Sequence, residues 1–253
     1  MGIIIKTKSE IELMRESGKI VANVLKLLKS YIKPEVSTFE LDKVAEDYIL
    51  SEDGIPVFKG YGPKNGKKFP SSICVSIDDE VVHGIPSGRK LKEGEIVSID
   101  VGVLKNKFVA DGAWTFSVGK ISDEKEKLMK VTEESLYEGI KQAKSGNYVY
   151  DISVAVQKKV ENNGYSVVKE LVGHGVGRSL HEDPQVPNYA KKNNGIKLKT
   201  GMTIAIEPMV NFGSEKIYVD VDEWTVKTQD KSPSAHFEHT VAIMDGETDI
   251  LTL

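Results

Sequence analysis

The sequence predicts an α+β protein whose single domain is made of two related halves. Two observations support this prediction. A pair of helical segments followed by several strand-like segments occurs twice in the same order, and no low-complexity linker separates the two occurrences. We therefore expect one domain over residues 1–253, with halves of about 1–120 and 121–253.

Composition and charge narrow the class of protein. Of the 253 residues, 40% are hydrophobic and 28% are charged, as in folded soluble proteins, and the net charge of -4 argues against a general nucleic-acid binder. The single cysteine, Cys74, rules out an internal disulfide and is typical of a reducing compartment. No segment approaches roughly 18 apolar residues, and no signal-peptide pattern is present. We expect a cytoplasmic protein that binds no membrane and no specific nucleic acid, with two groups of solvated lysines: Lys64, Lys67 and Lys68, and Lys191, Lys192, Lys197 and Lys199.

Capping boxes mark the first two helices. The box Ser9–Glu12 precedes apolar residues at helical spacing that end before Pro34. The box Ser37–Glu40 precedes a second run, which Gly54 closes. The Gly- and Pro-rich segment Gly60–Pro70 predicts a loop. Apolar or alternating segments then predict three strands: Ile73–Ile77, Ile96–Val103 and Phe108–Val118.

The second half repeats this order. Charged amphipathic segments predict helices over Asp123–Lys144 and Asp151–Asn162, and Gly164 ends the second helix. Five strand-like segments follow: Val167–Val172, Thr203–Val210, Ile217–Val221, Glu223–Lys227 and Ala235–Met244.

Two acidic residues lie on the predicted hairpin of the first half. Asp100 and Asp111 stand on strands joined by the polar turn Leu104–Lys107. A hairpin centred between Lys105 and Asn106 would place the two acids directly opposite one another. Carboxylates about 4 Å apart repel by roughly 4 kcal/mol at an effective dielectric of about 20, so a folded protein would protonate one or place a cation between them. Taken alone, the pair could equally be two solvated acids beside a turn.

Three further polar residues interrupt apolar segments. His174 lies between two glycines, which leave its imidazole unobstructed and favour a role as a ligand. Glu207 ends an apolar strand and precedes a proline, so it is not a helix-surface charge. Glu238 shares a strand face with His236, and an exposed charge on an edge strand is the alternative interpretation.

These five residues together indicate a metal centre. One imidazole and four carboxylates can hold two divalent ions, and an oxygen-rich set without thiolate suits Mn, Fe or Co better than a closed structural zinc site. Two metal ions about 3.5 to 4 Å apart can activate a shared water and polarise a carbonyl group. The sequence therefore predicts a hydrolase.

Eight segments stand in the order and spacing of a known family. They are CVSIDDEVVHGIP, SIDVGV, DGAWTF, GHGVGR, LHEDPQVPNY, IEP, DEWTVKT and SAHFEHT. With them the chain resembles the type I methionine aminopeptidases, in their short bacterial form, over essentially its whole length. The resemblance implies the pita-bread fold, in which two pseudo-symmetric αβ halves share a central curved antiparallel sheet with helices on its outer face.

The resemblance also implies an activity and a role for each candidate residue. Such an enzyme removes the initiator methionine from nascent proteins and peptides, favours a small second residue, and uses a hydroxide that bridges two divalent ions of Co, Mn, Fe or Zn. Carried over by motif, the metal ligands are Asp100 on one ion, His174 and Glu207 on the other, and Asp111 and Glu238 as bridges between the two. Glu207 would also act as the general base. His83 would contact the scissile amide nitrogen, and His181 the substrate carbonyl.

The methionine pocket implied by the resemblance is apolar and polarizable. Its residues would be Tyr61, Phe69, Cys74 and Trp224, with His83 at the edge. The chain departs from the family pattern at Phe58, Phe69, Gly112 and Leu180 and in a longer loop over Gly62–Lys68, which bears on the shape of the pocket.

Two other interpretations stay open at this point. Relatives of the same fold cleave Xaa-Pro bonds with the same ligand set, and metal-free relatives act as binding modules. The family also implies a monomer that meets nascent chains at the ribosome.

Overall fold

The described part of the chain contains four helices and fifteen strands. The computed structural model of the protein describes residues 2–190 and 195–253, so Lys191 and Lys192 of the second lysine group lie outside it. The helices are α1 (Lys8–Tyr31), α2 (Thr38–Ser51), α3 (Asp123–Gln142) and α4 (Val149–Glu161). The strands are β1 (Ile55–Pro56), β2 (Cys74–Ile77), β3 (Glu80–Val82), β4 (Ile96–Lys105), β5 (Phe108–Ser117), β6 (Ser166–Val167), β7 (Gly173–Gly175), β8 (Glu182–Val186), β9 (Thr203–Ile206), β10 (Met209–Asn211), β11 (Ile217–Val219), β12 (Val226–Thr228), β13 (Ser234–His236), β14 (Glu238–Ile243) and β15 (Thr248–Ile250). None of these four helices is long and apolar enough to cross a membrane.

The largest sheet joins strands from both ends of the chain. Its order is β1-β4-β5-β14-β9-β7-β8, with β2 beside β4 and β15 beside β14, and the pairings are antiparallel. Two three-stranded sheets, β13-β10-β6 and β11-β12-β3, complete the strand structure. Because β14 pairs directly with β5, late strands of the chain sit beside early ones. The relation of the two halves by an internal repeat stays a prediction.

Helix α1 packs against β4 and β5 along one apolar face. Met14, Val21 and Leu28, which recur every seven residues, are fully buried there. On this helix Gly18 meets the C-terminal segment so closely that a Cβ atom would lie 2.0 Å from the backbone oxygen of Leu251. Only glycine permits this approach, which fixes the end of the chain against α1.

The predicted helices are confirmed, with changed ends. The capping box of α1 uses Thr7 rather than Ser9, since the Glu10 carboxylate accepts a hydrogen bond from the Thr7 backbone N–H at 2.8 Å. The box at Ser37–Glu40 is confirmed at the start of α2. Helix α4 begins at Val149, two residues before the predicted start.

Two predicted strands are each divided into two shorter strands in the structure. Thr203–Val210 is divided between β9 and β10 at Glu207 and Pro208, and Ala235–Met244 is divided between β13 and β14 at Phe237. Each break lets the chain leave one sheet and enter another.

Two other strand predictions need correction. The strand predicted over Val167–Val172 is wrong beyond Val167, because Leu171 and Val172 line a cavity instead of continuing the strand. The strand predicted over Glu223–Lys227 begins only at Val226, since the φ of 70° at Glu223 belongs to a turn. The structure adds five strands without a sequence prediction: β1, β3, β7, β8 and β15.

The β4–β5 hairpin has a different register from the predicted one. Asp111 lies opposite Gly102, and Asp100 lies opposite Ala113, so the two acids are diagonal neighbours. The turn is centred on Asn106 and Lys107, whose φ values of 51° and 70° suit a two-residue hairpin turn. The observed register differs from the predicted one by two residues. Because side chains alternate between the two faces of a strand, the two carboxylates remain on the same face.

Candidate metal centre

Five neighbouring strands bring the candidate ligands together. In the order β4-β5-β14-β9-β7, each strand carries one of them on or just beyond its residues. Asp100, Ala113 and Glu238 form one row across the first three strands, and the small alanine leaves space between the two acids. The ligand candidates, in strand order, are Asp100, Asp111, Glu238, Glu207 and His174.

The ligand atoms lie within reach of a shared ion. One atom each from Asp111, His174 and Glu238 lies within 4.8 Å of the other two. His174 Nε2 is 3.4 Å from Glu207 Oε1 and 3.9 Å from Asp111 Oδ2. Asp100 lines the same cavity from the neighbouring strand.

The His174 ring is oriented for metal binding. Its Nδ1 lies 2.8 Å from the Gly175 carbonyl oxygen, which can only accept a hydrogen bond, so Nδ1 carries the proton. Burial lowers the pKa of His174 to about 3, and the adjacent His181 adds to the effect. The neutral ring therefore points an unprotonated Nε2 at the carboxylates.

Burial makes the four acids costly to ionise together. It raises the pKa of Asp100 to about 7 and raises the pKa of Asp111, Glu207 and Glu238 well above the usual range. For the last three, neighbouring carboxylates increase the shift further. Among the described residues that line the cavity, none is Lys or Arg. The site therefore has the charge of a cation-binding centre and no protein cation to balance it.

The donor set fits divalent metal ions. Asp100 Oδ1 and Glu238 Oε1 are buried without a hydrogen-bond partner in the described structure. Bound cations are one of the few ways to satisfy buried carboxylate oxygens. Four carboxylates with one imidazole match the preference of Mn, Fe and Co for oxygen-rich coordination.

A cavity of about 160 Å³ opens beside the four acids and the histidine of this centre. The side chains predicted for the methionine pocket line it: Tyr61, Phe69, Cys74, Trp224 and His83. The Phe69 and Trp224 rings meet edge to face at 5.4 Å. Phe58, Leu180 and Met209 add apolar surface. The cavity is apolar at one end and carries the carboxylates at the other.

Two further histidines border the same cavity. His83, which follows β3, adopts a φ of 60°, and burial lowers its pKa to about 4. His181 packs edge to face on His174 with ring centroids 4.3 Å apart. The Tyr61 hydroxyl lies 2.7 Å from His181 Nδ1. All eleven residues singled out in the sequence thus line one cavity.

One buried histidine beside the site, His236, was given no role from the sequence. His236 Nε2 lies 3.8 Å from Glu207 Oε2 and has no hydrogen-bond partner among the described residues. Its shared strand face with Glu238 was the available signal.

A buried ion pair fixes the loop that carries His181. Lys6 Nζ donates to Glu182 Oε2 at 2.5 Å, with only 2% and 6% of the two side chains exposed. The other oxygen of Glu182 accepts hydrogen bonds from the backbone N–H groups of Arg178 and Ser179. The Lys6 backbone is itself anchored by a hydrogen bond to Gly201. The N-terminal segment therefore holds the loop through Glu182, while Tyr61 contacts it at His181.

Replacing Lys6 by methionine is expected to destabilise the protein by about 3 kcal/mol. The change leaves the Glu182 carboxylate buried without its cation, which is the costly way to break such a pair. Urea unfolding measures the effect, with Lys8→Met at an exposed position of the same segment as the control. A double variant, Lys6→Met with Glu182→Gln, should recover part of the loss. Equal midpoints for Lys6→Met and Lys8→Met would contradict the importance of the pair.

Comparison with known proteins identifies similar chains over the full length. Residues 12–245 match the profile of metallopeptidase family M24. Methionine aminopeptidase 1 of Bacillus subtilis (strain 168) is 54% identical over 250 residues, which cover 99% of each chain.

Solved structures show the same architecture. The crystal structure of methionine aminopeptidase from Thermotoga maritima has a TM-score of 0.95 at 42% identity and covers 99% of both chains. The prolidase from Pyrococcus furiosus has a TM-score of 0.78 at 22% identity, covers 65% of that longer chain, and shares the fold alone. These likenesses confirm the predicted pita-bread fold.

Proposed function

The chain belongs to metallopeptidase family M24 and, within it, to the methionine aminopeptidases, and from this premise we propose how its residues act. Its reaction is the hydrolytic removal of an N-terminal methionine from proteins and peptides. The Xaa-Pro alternative is not favoured, because the likeness to a prolidase is at 22% identity. We propose that residues 1–253 act as one catalytic domain, with halves of about 1–120 and 121–253.

We propose that the centre holds two divalent ions. The single observation that carries the proposal is the convergence of four buried carboxylates and one correctly oriented imidazole in a cavity without a lining Lys or Arg among the described residues. When bound, the ions would supply a water of lowered pKa and a Lewis acid for the scissile carbonyl. The ligands would be Asp100 on one ion, His174 and Glu207 on the other, and Asp111 and Glu238 on both.

Glu207 would move the proton during hydrolysis. Its carboxylate is close to His174 and follows the end of β9, where it faces the cavity and not the sheet. It would accept the proton of the attacking water and pass it to the leaving amine as the bond breaks. His83, which lines the same cavity, would hold the nitrogen of the scissile amide.

His181 would stabilise the developing oxyanion. If the Tyr61 hydroxyl donates to His181 Nδ1, the ring proton lies on Nε2 and can donate to the substrate carbonyl oxygen. Burial lowers the pKa of His181, which keeps the ring neutral for this role. The Tyr61 contact would thereby select the tautomer that catalysis needs.

The substrate methionine would occupy the apolar end of the cavity. Sulfur interacts favourably with aromatic rings, and Phe69 and Trp224 present their rings there. The free α-amine would lie near Asp100, which restricts the enzyme to the first residue of a chain. Exclusion of large second residues would follow from crowding beyond the metal ligands.

A peptide panel tests the proposed activity and its metal dependence. Met-Ala-Ser, Leu-Ala-Ser and Ala-Pro-Ser are incubated with chelated protein, before and after addition of Mn, Fe, Co or Zn. We expect release of methionine from the first peptide alone and only after a metal is added. Cleavage of Ala-Pro-Ser while Met-Ala-Ser stays intact would contradict the proposed substrate. Full activity after chelation would contradict the metal centre.

The family also suggests where the enzyme meets its substrate. We propose that a monomer acts on nascent chains at the ribosome in the cytoplasm. Light scattering and cosedimentation with ribosomes test the two parts separately; a stable dimer would refute the first and free sedimentation the second.

A further inference from the structure

A surface groove leads away from the catalytic cavity along β7 and β8. Its first part, of about 390 Å³, is lined by His174 and His181, which also line the catalytic cavity. Its second part, of about 590 Å³, shares Gly2, Asp183 and Gln185 with the first. We call the two parts together the β8 groove. Because His174 and His181 line both, the groove and the catalytic cavity adjoin at these two residues.

The proposed positions of the substrate groups direct the rest of the substrate chain toward the groove. The methionine side chain would fill the end lined by Phe69 and Trp224, and His181 would contact the carbonyl of the bond that is cut. The residues that follow this bond therefore start beside His181, at the head of the β8 groove.

The middle of the groove presents groups that suit any peptide backbone. Gln185 is exposed and lies directly opposite His174 in the β7–β8 register, so both side chains project from the same face. Its amide both donates and accepts hydrogen bonds, as a peptide group does. The nearby Glu182 carboxylate is already neutralised by Lys6. Gln185 can therefore hold a peptide backbone in this part of the groove, which the exposed acid Asp183 also lines.

The far part of the groove is more apolar. Tyr150, Tyr189 and Ile196 line it, and Ile196 is 42% exposed. An extended chain advances about 3.3 Å per residue, so the five residues of β8 correspond to about four or five substrate residues. The apolar part would then receive a side chain near the fifth or sixth substrate residue.

We propose that the β8 groove binds the third to about the sixth residue of the substrate in an extended form, with Gln185 holding the backbone and the apolar part preferring a hydrophobic side chain. This proposal rests on the proposed aminopeptidase function. It makes the enzyme sensitive to sequence well beyond the residue next to the scissile bond.

Kinetics with peptides of increasing length test the groove. The substrates are Met-Ala-Ser, Met-Ala-Ser-Gly-Leu-Gly and Met-Ala-Ser-Gly-Asp-Gly. A few hydrogen bonds and one buried side chain are expected to raise kcat/KM of the Leu hexapeptide about tenfold over the tripeptide, and that of the Asp hexapeptide less. Gln185→Trp should abolish this gain, so that the variant cleaves the hexapeptides with a kcat/KM within about twofold of its own kcat/KM for the tripeptide. Gln229→Trp, at an exposed turn that follows β12, is the matched control and should keep the gain.

Binding to an inactive variant separates this proposal from the catalytic one. Fluorescence polarisation of the labelled Leu hexapeptide on Glu207→Gln should show weaker binding when Gln185→Trp is added. If wild type cleaves the tripeptide but shows no gain with length, or if Gln185→Trp keeps the gain, the groove proposal is overturned. If no peptide is cleaved but the binding depends on Gln185, the catalytic proposal fails and the groove stands. A Gln185→Trp variant that changes the oligomeric state and not the length dependence would assign the groove to a second copy and overturn the proposal.

Discussion

Replacing Glu207 by glutamine is expected to lower turnover of Met-Ala-Ser by on the order of 10³-fold, because an amide cannot accept the proton of the attacking water. The substitution keeps the size of a side chain that lies 3.4 Å from His174 Nε2 and 3.8 Å from His236 Nε2. It also removes one charged oxygen from the ligand set, so metal affinity should fall as well.

The experiment must separate the loss of a base from the loss of a ligand. Metal content measured on the purified variant at saturating metal shows whether both ions bind, and kcat is then compared at equal occupancy. Glu247→Gln, at an exposed position, is the matched control and should retain wild-type turnover. A Glu207→Gln enzyme with full metal content and kcat within tenfold of wild type would remove Glu207 from the role of general base.

The β4–β5 hairpin shows what sequence could and could not predict about the site. Alternation placed Asp100 and Asp111 on one face, and this holds in the structure, but the register was wrong by two residues. Periodicity fixes a face because a one-residue slip reverses every side chain, whereas a two-residue slip leaves the face unchanged. The positive φ values at Asn106 and Lys107 decided between the two registers, and neither residue is a glycine that would have signalled them.

The pairing of strands that are distant in the sequence also could not be predicted from the residue pattern. Glu238 could be placed on a face of its own strand, but its neighbour Ala113 comes from the other end of the chain. The row Asp100, Ala113, Glu238 depends on β14 entering the sheet beside β5, a pairing that local periodicity does not encode. The family resemblance grouped the ligands through motifs; the sheet explains the grouping physically.

The second prediction concerns the stability of the protein without its ions. The chelated protein is expected to lose stability as the pH rises above about 6.5. Burial raises the pKa of Asp100 to about 7 and raises the pKa of Asp111, Glu207 and Glu238 well above the usual values of such acids. The folded state then holds protons that the unfolded chain releases above about pH 4, so unfolding becomes more favourable as the pH rises toward the folded pKa values.

The buried histidines change the stability in the opposite direction with pH. They set the lower limit of the pH range in which the carboxyl effect acts alone. Burial lowers the pKa of His174 and His236 to about 3 and that of His83 and His239 to about 4. Below about pH 6.5 the unfolded chain therefore binds protons that the folded state excludes, and stability falls as the pH falls. These two effects offset each other in mild acid. Above about pH 6.5 only the carboxyl effect remains, at about 1.4 kcal/mol per pH unit for each carboxyl that keeps its proton.

Bound metal should reverse the dependence of stability on pH above about pH 6.5. Metal ions bind the deprotonated carboxylates, and they stabilise the folded state more strongly as proton competition weakens. Urea midpoints measured from about pH 6.5 to 8 with a chelator, and again with saturating Mn or Co, should therefore diverge as the pH rises. Asp100→Asn removes one of the acids and is expected to flatten the chelated curve and reduce the stabilisation by metal. Parallel curves with and without metal would mean that the carboxylates do not bind the ions. A chelated wild-type protein that becomes more stable above about pH 6.5 would mean that the four acids are not held as neutral groups in the metal-free fold.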